Sequence, residues 1–299
     1  MPFTPPNQQE RRTAIGSTPG LPPAVQRALE PDDSFRAIPP PGPQDWLANH
    51  PEAGQTYAEF VQSNLNRLNA RRNKLYLQPL GEFEEGKSPS LELLRQFATA
   101  FFALDVTILP PLHLAEHVLT TRQNPYTQRR QLLTGDILSF LQRRLPPDAY
   151  ALLGITMEDL YPEPAWNFVF GQASLRDRVG VYSFARYDPR FFGDSLPVDW
   201  QKLLLRRSCK VLAHETAHMF GIAHCTFFHC LMNGSNHLAE SDARPLHLCP
   251  VDLRKLYESI GFDIVERYRR LHDFYELVGF EDEAQWVNRR LARLVPFSH

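Results

Sequence analysis

No stretch of this chain reaches the ~18 consecutive apolar residues that a membrane-spanning helix needs. Its start, Met1-Pro2-Phe3-Thr4-Pro5-Pro6, has no apolar core of the kind a secretory signal carries. No membrane partner is expected, and the chain is expected in the cytoplasm. Excess charge is missing too. The chain has 32 Lys and Arg against 34 Asp and Glu, a formal net charge of −2, so a nucleic-acid partner is not expected either. Cysteine is scarce, with four residues at positions 209, 225, 230 and 249. Such usage suits a reducing compartment and makes no disulfide framework. Proline, by contrast, is plentiful: 26 residues, eleven of them before Gln44.

With 43% hydrophobic residues in 299 positions, the chain can bury one large core or two small ones. The prolines, densest at Pro39-Pro40-Pro41-Gly42-Pro43, exclude a long helix or a central strand from residues 1–45, which are expected to be an extended or partly disordered arm. Trp46 and Leu47 can pin that arm, and Thr56 to Asn69 reads as a short amphipathic helix. An α/β alternation follows. Strand-like runs at 74–80 and 106–109 flank a helix that starts at Ser90, an order that predicts a parallel crossover. A helix over 131–144 precedes a buried strand over 149–156. Met157 to Tyr161 reads as a turn with solvated acids, and strands are expected over 167–173 and 180–187. Pro197 to Phe220 carries the longest helical pattern, with Cys209 on its core face. Helices over 252–260, 264–277 and 282–294 close the chain, and their arginines, interleaved with acids, read as a solvated face.

The chemistry concentrates in His214-Glu215-Thr216-Ala217-His218-Met219-Phe220-Gly221-Ile222-Ala223-His224. On a helix, His214 and His218 present two imidazoles one turn apart, with Glu215 alongside. Gly221 can take the left-handed conformation that ends a helix, letting the chain turn back and offer His224 as a third nitrogen ligand. Zinc held by three histidines keeps an open position for a water whose pKa it lowers to ~7, and Glu215 is the natural general base for that water. Cys225 follows His224 directly, then come Cys230, Met232 and Cys249. Three thiols so placed, with no secretory signal, read as a closed metal site.

The run from His214 to Cys249 resembles the archaemetzincins. Their pattern is the long zinc motif, a cysteine after the third His, a second cysteine after four residues, a Met two residues on, and a downstream Cys-x-x-Cys. Here Asp252 stands where the last of those cysteines falls. The resemblance covers roughly residues 75–260 and implies two zinc ions: a catalytic one on His214, His218 and His224, and a structural one on Cys225, Cys230 and Cys249. Asp252 is the first choice for its fourth ligand, with His229, His247 and Cys209 as rivals. Asp252 can also serve the first turn of the helix that Pro250 opens. By the same resemblance Met232 forms the Met-turn, and the residue two further on is Gly234, where some metzincins carry tyrosine. The strand backbone of Phe170, Gly171, Gln172, Ala173 and Ser174 is implied to pair with substrate.

The expected fold is therefore α/β (α+β): a metzincin-like catalytic domain with a mixed twisted sheet, an edge strand over the cleft, a long active-site helix and a small helical C-terminal subdomain. Its expected parts are an arm (1–45), an α/β subdomain (46–221) and a C-terminal subdomain (222–299). The expected function is a monomeric zinc metallopeptidase acting on peptides or proteins. The rival reading is a catalytically silent or gated zinc protein that binds peptides or a protein partner.

Overall fold

The computed structural model describes residues 3–63, 66–114, 119–193 and 195–294. In chain order its elements are α1 (Gln8–Ile15), α2 (Pro23–Leu29), α3 (Trp46–Asn49), α4 (Tyr57–Gln62), β1 (Lys74–Leu80), α5 (Leu91–Phe102), β2 (Val106–Ile108), β3 (Thr121–Gln123), β4 (Arg130–Leu133) and α6 (Thr134–Gln142). They continue with β5 (Ala149–Thr156), β6 (Asp159–Tyr161), β7 (Gly171–Ser174), β8 (Val179–Ser183), α7 (Trp200–Met219), α8 (Leu238–Ala243), α9 (Pro250–Ile260), α10 (Ile264–Val278) and α11 (Glu281–Leu294). The described residues group into two compact units, one of residues 66–99 and 103–219, the other of 3–63, 100–102 and 220–294. Residues 46–63, expected with the α/β part, group instead with the C-terminal helices. No helix among the described residues is long and apolar enough to cross a membrane.

The α/β unit is built around β5, whose eight residues are all buried. A continuous apolar run of this kind belongs to a strand covered on both faces. β1 and β8 flank it in parallel, β2 extends the sheet beyond β1, and the order is β2-β1-β5-β8-β7. The parallel crossover from β1 through α5 to β2 is the one the sequence predicts, and the Ser90 hydroxyl accepts from Leu93 N at the start of α5. β7 is antiparallel and lies at the sheet edge. A second sheet, β3-β4-β6, was not anticipated. The helix expected from Gln131 starts only at Thr134 because residues 130–133 are spent on β4. Leu132, Ile137, Leu141, Leu152, Leu160 and Val181 share one apolar core.

The expected turn at Met157 to Tyr161 is corrected by β6, where Asp159 is buried rather than solvated. Arg186 Nε donates to Asp159 Oδ1 at 2.7 Å, Arg186 Nη2 donates to Oδ2 at 2.8 Å, and Gln131 Nε2 also donates to Oδ2. Two-pronged pairing plus an amide satisfies the carboxylate, which is why the interior tolerates it.

In the other unit, residues 3–45 are more regular than an extended arm. α1 has a complete capping box from Asn7 and Glu10, and Pro23 sits at the start of α2, in the first turn, where no N–H has an intrahelical acceptor to lose. Both helices end on buried arginines. Arg254 Nη1 donates to Ile15 O at 2.9 Å, and Arg290 Nη2 donates to Ala28 O at 2.9 Å. These guanidiniums meet the carbonyls that a helix C-terminus leaves open, where positive charge is favoured. Arg290 is fully buried and Arg267, also buried, donates to Phe101 O, so the arginines of the last helices do not form one solvated face. α10 and α11 pack as a pair, and α2 lies against α9, α10 and α11.

Removing one partner of the Arg186–Asp159 pair strands a buried charge, so Asp159→Ala is expected to cost about 3–5 kcal/mol in chemical denaturation. A loss under about 1 kcal/mol would show that the pair is not the anchor of β6.

Candidate active site and metal centres

α7 packs on β7 and β8 with its apolar face, burying Leu204, Leu205, Val211, Leu212, Ala213 and Ala217. Cys209 is buried on the same helix, as expected of a core residue. That anchorage fixes the opposite register. His214 Nε2 and His218 Nε2 come to 3.1 Å from each other with their rings at 87°. Tetrahedral zinc with Zn–N bonds of ~2.0–2.1 Å sets its nitrogen ligands about 3.4 Å apart, so the pair is spaced for a shared ion. Tyr150 Oη donates to Met219 O at 2.8 Å, satisfying a carbonyl that the helix end leaves open.

Glu215, half-buried on α7, has the edge strand beside it. A Cβ built on Gly171 falls 3.4 Å from the Glu215 carboxyl carbon and 2.9 Å from both Tyr182 Cβ and Val181 O. Only glycine lets the strand approach this closely. Ser183 N donates to Phe170 O at 2.9 Å, so Phe170, Gln172 and Ser174 turn their backbone polar groups to β8, while Gly171 and Ala173 turn theirs to the free edge.

Beyond α7, Gly221 takes φ +78°, the left-handed turn that the sequence requires. In the run His214–His224 each of the three histidines carries ring nitrogens able to bind a metal, and the third follows the turn at Gly221. His224 Nδ1 is 2.9 Å from Glu52 Oε1. Burial works to raise the Glu52 pKa, but the His224 contact outweighs it and holds the carboxyl below its ordinary value. Sequence reasoning missed Glu52, which stands 172 residues from its partner.

Cys225, Cys230, Cys249 and Asp252 form a second group, all buried, with one ligand atom from each within 4.8 Å of the others. Cys225 Sγ and Cys249 Sγ are 3.6 Å apart, and Asp252 Oδ2 lies 3.3 Å from Cys230 Sγ and 3.4 Å from Cys249 Sγ. Zinc–sulfur bonds of ~2.3 Å place tetrahedral ligands at about these separations. The rivals for the fourth position lie elsewhere. His247 stacks on Trp286 at 3.8 Å, His229 donates its backbone N–H to Arg36 O, and neither belongs to the group. Lys255 Nζ, one turn further along α9, donates to Asp252 Oδ1 at 2.9 Å and leaves Oδ2 facing the thiols. Burial, then the Cys225 thiolate, pushes the Asp252 carboxyl up to about 6 despite the Lys255 charge.

Met232 is fully buried, and its carbonyl accepts from Cys225 N at 2.8 Å. Asn233 braces the same loop: its Oδ1 accepts from Cys230 N, and its Nδ2 donates to Cys225 O and Phe228 O. A third group, Asp45, His237 and Glu240, is a hydrogen-bonded clasp. Glu240 accepts from Trp46 N and Asn236 N, and Asp45 accepts from Gly42 N while facing His237 Nε2 at 3.1 Å.

The sequence profile of Peptidase family M54 matches residues 139–258. Archaemetzincin-2 of Mus musculus is 40% identical over 275 residues, covering 83% of this chain and 77% of that protein. Archaemetzincin-2 of Homo sapiens is 39% identical, with 83% and 76% covered. The crystal structure of archaemetzincin from Methanopyrus kandleri is 28% identical and covers 65% of this chain and 99% of its own, at a TM-score of 0.49. The similarity thus reaches beyond residues 75–260, the part that carries the motifs. With identity and coverage at this level, the chain belongs to the archaemetzincins, peptidase family M54, and is a zinc metallopeptidase.

Proposed function

We propose that this protein hydrolyses peptide bonds at a zinc held by His214, His218 and His224, with Glu215 as general base, and that Cys225, Cys230, Cys249 and Asp252 hold a second, structural zinc. The observation that carries the catalytic reading is the 3.1 Å approach of the His214 and His218 ring nitrogens on α7, next to a glutamate that faces the sheet edge, with His224 six residues beyond His218 in the same run. Zinc at the histidines supplies a Lewis acid for the scissile carbonyl and acidity for a water. Glu215 takes the proton of the attacking water and delivers it to the departing amine, a role that needs a carboxylate within hydrogen-bond reach of both. Gly171 and Ala173, with outward-turned backbone groups next to that carboxylate, take an extended peptide by strand addition, while Phe170, Gln172 and Ser174 hold β7 to the sheet. The second site is closed. Its four donors fill a tetrahedron and leave no position for substrate, so its role is to fix the loop from Cys225 to Cys249. A reducing compartment such as the cytoplasm keeps those buried thiols available to the metal.

Zinc-loaded protein is expected to cleave members of a diverse peptide mixture, read by mass spectrometry. Glu215→Ala should keep its zinc and lose ~10²–10⁴ in turnover; wild-type rates from the variant would sink the base assignment. Cys230→Ser should lower metal content from two ions per chain to one and loosen the chain around Met232. A variant that still holds two ions would refute the structural site.

A further inference from the structure

The metal-holding run is stiffened by its own helix only as far as Met219. His224 lies past a left-handed glycine, on a stretch with no helix or strand until Leu238. An imidazole in such a place can rotate, and it can carry its proton on either nitrogen. One short segment far away in sequence removes these freedoms. The Gln55 amide spans the turn, with Oε1 accepting from Ala223 N and Nε2 donating to Gly221 O, each at 3.2 Å. Thr226 Oγ1 donates to Ala53 O just beyond. The Trp46 indole meets the His224 ring edge-on at 5.1 Å and stacks on His50. It also fills the space over Gly234, where a Cβ would fall 2.4 Å from Trp46 Cδ1. That close approach accounts for the missing side chain two residues after Met232.

We propose that Glu52 is the positioning residue for His224, and that the stretch from Trp46 to Thr56 is part of the metal centre rather than a linker. The inference rests on the reading of His214, His218 and His224 as zinc ligands. An ionised carboxylate can only accept, so the 2.9 Å contact requires the proton of His224 on Nδ1. The lone pair then belongs to Nε2, the ring nitrogen that would bind the metal. A carboxylate on the far nitrogen also fixes the ring plane and raises the basicity of the ligand. Both side chains are about a quarter exposed, at 21% and 28%. As an ion pair the contact is worth little. Its effect lies in orientation.

The test uses the full chain. Zinc affinity at the histidine site is measured by chelator competition, with His214→Ala marking which ion is lost, and the His224 tautomer is read from ring-nitrogen chemical shifts of the metal-free protein. Glu52→Ala is expected to bind zinc ~10–100-fold more weakly and to show His224 as a mixture of tautomers. Glu52→Gln, which keeps an acceptor oxygen, should retain the Nδ1–H form and lose less affinity. Wild-type affinity in Glu52→Ala overturns the proposal. So does a weakened Glu52→Ala whose His224 tautomer is unchanged and whose metal-free melting temperature falls, because Glu52 would then be a purely structural residue. If His214→Ala removes no zinc, the metal reading itself fails and this proposal with it.

Discussion

A helix can offer two ligands to one ion at fixed spacing, but it cannot offer a third, because no further position on the same face lies within reach. The third donor has to come from chain that has left the helix, and such chain has no stiffness of its own. Much of the architecture near His224 answers that constraint. The turn at Gly221 redirects the backbone, Asn233 knots the loop that follows, and residues 46–56 lie along it as a template. The order of the sequence conceals how these parts depend on one another.

The cysteine group acts on the same problem from the other side. Cys225 is covalently next to His224, so whatever fixes the sulfur also fixes the backbone of the third histidine. A carboxylate in place of a thiolate leaves the formal charge of the group unchanged, and the buried ammonium of Lys255 offsets part of it. The lysine also assigns the two oxygens of Asp252 different tasks, one as acceptor for Nζ and one turned to the sulfurs. The same aspartate sits in the first turn of α9, so its place at the helix start and its place beside the thiols coincide.

What could be seen in advance follows the range over which each signal acts. The histidines, Gly221 and the thiols sit in short runs with rigid spacing, and a helical repeat or a left-handed turn is a local property. Glu52 belongs to no pattern. A carboxylate that meets its histidine across 172 residues is set by the fold and leaves no mark in its neighbours. β3 and β6 have three residues each, too few for alternation to show, which is why the second sheet went unseen and Asp159 was read as solvated. Arg290 and Arg254 were misread for a different reason. Arginines among acids normally face water, and nothing local reveals that a helix C-terminus lies waiting for the guanidinium. The helices at the proline-rich start were hidden because their stability comes from caps and packing rather than length.

β7 is only four residues long, and its register leaves the backbone of just two of them, Gly171 and Ala173, facing outward. An extended chain laid against it gains backbone bonds over a span of about two residues on each strand. Those bonds are the same for every amino acid but proline, which lacks the N–H, so they give a grip without a vocabulary. Any preference for one sequence over another has to be written by the side chains that flank the strand.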